Sequence, residues 1–121
     1  MRNILMSAST ILSFLKEKGM RMKNEKINDT QFWLDTADGF ITIKVIVDEV
    51  THEILYDIFS PQYDKHLKVE FLKDIEKLEF IEEERQTLEH KKSIEDVWFT
   101  LEWVRFWAYK NHFCVKETHL V

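Results

Sequence analysis

Apolar residues near the end of the chain recur at helical spacing on two faces at once. Within 94–113, IEDVWFTLEWVRFWAYKNHF, one face gathers Ile94, Val97, Trp98, Leu101, Val104, Ala108 and Tyr109. The opposite face gathers Phe99, Trp103, Phe106 and Trp107. Ser93 followed by Asp96 reads as a capping box at its start, and no Pro or Gly interrupts it. A helix apolar on both faces is buried on both, inside its own fold or against another chain. Upstream, Ser60-Pro61 reads as a cap and first residue of a second helix. Its stripe is Tyr63, Leu67, Phe71, Ile75, Leu78, Ile81 and Leu88, with a break expected near Glu82–Glu84.

The pattern changes period between 31 and 59. Phe40–Val47 is β-branched and alternates around Thr42 and Lys44. Asp35–Gly39 before it and Asp48–His52 after it look alike. Each starts with Asp and reaches a left-handed position four residues later, taken by Gly39 and His52. Three strands are expected, Gln31–Asp35, Phe40–Val47 and Glu53–Phe59, with Asp57 opposite Lys44. The competing reading makes Glu49–Phe59 a helix, and the strand-forming composition of Ile54–Phe59 favours the strand.

At the N-terminus, Ile4, Ala8, Ile11, Leu12 and Leu15 follow an amphipathic helix ending at Gly19. The apolar run is too short to span a membrane, and it ends in Lys-Glu-Lys with no signal-peptide cleavage site. Lys16–Gly19 is encoded by purine-rich codons ahead of Met20 and Met22, so residues 1–21 read either as a core helix or as a mis-assigned start. The expected fold is one α+β domain over 1–121. A three-stranded antiparallel meander packs against helices in the order α-β-β-β-α-α, with a short strand or frayed end at Cys114–Val121.

Composition narrows the chemistry. One cysteine leaves no internal disulfide framework and suits a reducing cytoplasm. Two glycines are too few for a phosphate-binding loop. The net charge is −5, divided as +3 over residues 1–30 and −8 over the remainder. An acidic body disfavours direct nucleic-acid binding and admits a basic protein partner. His112, Cys114 and His119 have no closed zinc spacing and read as a buried Cys with two surface His. Glu82-Glu83-Glu84 point in different directions on a helix and form no acid–base pair. No metal, cofactor or catalytic residue is expected.

The first five elements resemble the order of double-stranded-RNA-binding domains. The basic cluster that those carry after the sheet is replaced here by Pro61-Gln-Tyr-Asp-Lys-His66. The whole order is similar to that of some small, acidic, phage-encoded Cas9 inhibitors, a likeness of element order alone. The expectation is a cytoplasmic, non-enzymatic inhibitor that blocks a protein such as a host nuclease or a cognate toxin. It would be an anti-defence or immunity protein, with a homodimer also open. Its interface would be Phe99, Trp103, Phe106 and Trp107, unless helix 1 covers them as core. The alternatives are a nucleic-acid-associated regulator, marked by a basic patch, and a small homodimeric enzyme, marked by a deep pocket of titratable groups.

Overall fold

The computed structural model describes residues 8–62, 64–67 and 90–119. Its elements are helix α1 (Ala8–Glu17), strands β1 (Lys23–Lys26), β2 (Gln31–Asp35), β3 (Thr42–Asp48), β4 (Glu53–Ser60) and β5 (Lys65–Leu67), helix α2 (Lys91–Lys110) and strand β6 (Cys114–Glu117). The antiparallel α+β class stands, whereas the expected α-β-β-β-α-α order is matched only in part. The meander β2–β3–β4 is the centre of the sheet, and Glu53–Ser60 is strand rather than helix. The sheet runs β1-β2-β3-β4-β5, with β6 parallel to β4.

Three features depart from the sequence expectation. Ser60 ends β4 instead of capping a helix, Pro61 and Gln62 turn the chain, and Lys65–Leu67 returns as β5. The remainder of the expected second helix, 68–89, lies outside the described residues. The last helix begins at Lys91 with His90 as its cap residue, so Ser93 sits inside the first turn and is buried. It also stops at Lys110, short of Phe113.

Alternation along each strand decides which face is buried. Register aligns Phe32, Val45 and Tyr56 in one row and Leu34, Ile43, Ile58 and Leu67 in another, all buried. Ile54 and Val47 extend this face, and α1 and α2 pack over it through Ala8, Ile11, Leu12 and Leu15 and through Ile94, Val97, Leu101 and Val104. Each large side chain so buried contributes about 1.5–3 kcal/mol relative to exposure.

Both helices end in the same way. Gly19, at φ +91°, donates to Lys16 O while Met20 N donates to Leu15 O, the double bond of a Schellman stop. At the end of α2 the left-handed position belongs to His112, at φ +61°, and Phe113 N donates to Ala108 O at 2.8 Å. Phe113 then packs on Trp107, with ring centroids 5.4 Å apart, and sends the chain into β6. The hairpin turns follow the expected chemistry. Gly39 is at φ +75°, His52 is at φ +57°, and Asp48 Oδ1 accepts from the amides of Val50 and Thr51.

Candidate functional site

The two faces read from the α2 sequence are not equivalent in the structure. Trp107 is buried at 6% exposure among core residues, and Phe113 covers it. The surface expected from the sequence therefore narrows to Phe99, Trp103 and Phe106. Phe99 and Phe106 are 38% and 45% exposed, and Trp103 is partly buried against the core. Tyr109, grouped in the sequence with the face of Ile94, Val97 and Leu101, is instead exposed, because α2 turns its Val97–Leu101–Val104–Ala108 edge to the sheet.

The three aromatic side chains sit at i, i+4 and i+7 of α2 and touch in sequence. Phe99 meets Trp103 edge-on at 6.4 Å, and Trp103 meets Phe106 edge-on at 5.4 Å. Phe14, from α1, closes the group with Trp103 at 5.9 Å and Phe106 at 6.4 Å. Helix 1 thus covers the inner half of the aromatic face and leaves the outer half open. Lys18 Nζ lies 4.9 Å from the Trp103 ring centroid, and Lys110 Nζ lies 5.8 Å from that of Phe106. Arg105, beside them, reaches Glu102 at 3.4 Å. The patch is therefore aromatic at its centre, with Lys18 and Lys110 over its rings and the Arg105–Glu102 pair beside them, in a chain that is acidic as a whole.

A second polar knot stands at the start of α2. Asp38 Oδ1 accepts from the Phe40 amide and the Thr36 hydroxyl, each at 2.9 Å. His90 Nδ1 lies 2.9 Å from Asp38 Oδ2, and Ser93 also bonds this carboxylate. Burial works to raise the Asp38 pKa, but the bonds from Ser93, His90, the Phe40 amide and Thr36 prevail and hold it well below the usual carboxylate range. The His90 ring stacks on Phe40 at 3.7 Å. This knot fastens the β2–β3 turn to the helix.

The other sequence candidates fall apart. Cys114 is exposed, not buried as expected, and stands at the start of β6. His112 is exposed and serves the α2 stop. An open hollow is lined by Asp29, Thr30, Ile46, Val47, Asp48, Glu49 and Val50, with no histidine or cysteine among them. No helix of the described residues is long and apolar enough to cross a membrane. No protein-family model, curated protein or solved structure matches the chain.

Proposed function

We propose that this chain is a non-enzymatic protein-binding inhibitor whose Phe99, Trp103 and Phe106 surface seats on a macromolecular target and blocks it. The observation that carries the reading is the half-open aromatic group of α2, closed on its inner side by Phe14 and rimmed by Lys18 and Lys110. Aromatic side chains dominate interface hot spots, and contiguous apolar patches are rarely left bare on a soluble monomer. The rim gives the partner its chemistry. A protein that brings an apolar side chain to the rings and carboxylates to the two lysines is complementary.

A blocking role suits a small chain with an acidic body, and a host nuclease or a cognate toxin remains the target class. The six-stranded sheet removes the likeness of element order as an argument, so the patch carries the reading alone. The test is affinity purification from the native host, then quantitative binding of the captured protein to variants. Phe106→Asp should weaken association by about 30-fold or more, the effect of losing roughly 2 kcal/mol at a hot spot. Lys18→Glu should weaken it less and flatten its salt dependence. Both variants should melt close to the parent, since both side chains are partly open to solvent. A captured protein that binds both variants as tightly as the parent would place the contact elsewhere.

A further inference from the structure

The open edge of β4 is shared by two short strands. β6 runs parallel along Glu53–Tyr56, and β5 runs antiparallel along Ile58–Ser60. Asp57 lies between the two paired stretches. Thr118 N prolongs β6 by donating to Tyr56 O at 2.8 Å, which delivers His119 to this junction. From the other side β5 brings His66, opposite Phe59. The His66 and His119 rings stack with centroids 4.1 Å apart, and His66 Nδ1 lies 2.9 Å from Asp57 Oδ1. Asp57 is 1% exposed, while both imidazoles open to solvent.

We propose that Asp57, His66 and His119 form a binding site for a divalent transition-metal ion, zinc above all. Among the described residues they form the one group of three potential ligands, with donor atoms all within 4.8 Å of one another. Two imidazole nitrogens and one carboxylate oxygen suit zinc, cobalt or nickel, whereas magnesium and calcium call for oxygen donors throughout. Ligand atoms on a tetrahedral zinc stand about 3.3 Å apart, as bond lengths of ~2.0–2.1 Å require. An ion held by both imidazoles lies near the plane of each ring, so at least one of them must turn out of the 4.1 Å stack; both side chains are exposed, which leaves room for that turn, and Asp57 needs little movement. Three protein ligands on a solvent-facing edge leave the fourth position to water. Lys44 is the cation opposite Asp57 in the β3–β4 register, and its Nζ lies 4.8 Å from the rings of Trp33 and Phe59. A bound ion would tie the ends of β5 and β6 together across β4, so metal should raise the melting midpoint.

The test is calorimetric titration of the full chain with zinc chloride, with cobalt absorption as a report on geometry. One ion per chain is expected at low-micromolar affinity or tighter, together with tetrahedral cobalt bands and a higher melting midpoint that a chelator reverses. His66→Gln and His119→Gln should each weaken zinc binding by about tenfold or more. The exposed His112→Gln, outside the group, should leave it unchanged. Both ligand variants replace exposed side chains, and their melting curves without metal show whether they fold. Absence of zinc binding by the parent chain would overturn the site. So would equal binding by the parent and by a folded His66→Gln, His119→Gln double variant.

Discussion

A carboxylate at the right depth can act as a fastener, and Asp38 shows how. Four groups from the β2–β3 turn and α2 converge on it, and its folded pKa is depressed. A depressed carboxylate stabilises the fold fully above its unfolded value, near 3.9, and that stability is lost as pH falls through the folded value. Asp38→Asn should therefore lower stability at neutral pH by about 1–2 kcal/mol, the range for bonds to a partly exposed charge. The difference from the parent should shrink in strong acid, which denaturant titrations at neutral and acid pH would measure. The two left-handed histidines offer a second contrast. His112 is exposed, so His112→Gly should gain up to about 1 kcal/mol by relieving backbone strain. His52 has comparable strain but stacks on Phe113 at 4.8 Å, so His52→Gly should come out near neutral. His52→Ala, which keeps the strain and loses the stack, should cost about 0.5–1.5 kcal/mol. Equal effects of Gly and Ala at position 52 in urea melts would show that strain plays no part. Position 52 was legible from the sequence because two similar turns announced it. Asp38 was not, because its partners His90 and Ser93 lie far along the chain.

Within single elements, alternation was the reliable signal. The central strands β2, β3 and β4 were legible because one face is apolar throughout. β1 reads Lys-Asn-Glu-Lys and exposes every residue, so it carries no period at all. β5 has three residues, and its approach through Ser60-Pro61 imitates a helix start. On α2, composition alone could not separate Phe106 from its neighbour Trp107, since both belong to one aromatic run. Packing separates them, and so should mutation. Trp107→Ala should cost about 3–5 kcal/mol, as truncation of a large core aromatic does, while Phe106→Ala should cost far less. Thermal melts of the two variants compare them directly. α1 is also a core element here. Ile11, Leu12 and Leu15 are buried, and together they contribute about 5 kcal/mol or more, a large part of a typical domain's stability. A chain shortened to begin at Met22 should aggregate or lose its cooperative melt, as light scattering and calorimetry would register.

For the molecule as a whole, the sequence conveyed the class and little of the layout. The junction of Asp57, His66 and His119 joins positions 9 and 53 residues apart in sequence, and it exists only because β5 and β6 meet on one edge. No local spacing could reveal it. The same arrangement governs how the sheet meets other molecules. A sheet edge with unpaired amides and carbonyls is a template on which further chains can stack. Here β4 would expose such an edge over most of its length, and two short strands of opposite direction break it into pieces. At the far side β1 presents Lys23, Glu25 and Lys26 to solvent, charges that repel an incoming strand. Both borders of the sheet are thus closed to growth, one by interruption and one by charge. Replacing Lys23, Glu25 and Lys26 with valine should let the β1 edge seed fibrils, which thioflavin fluorescence of the variant against the parent would register.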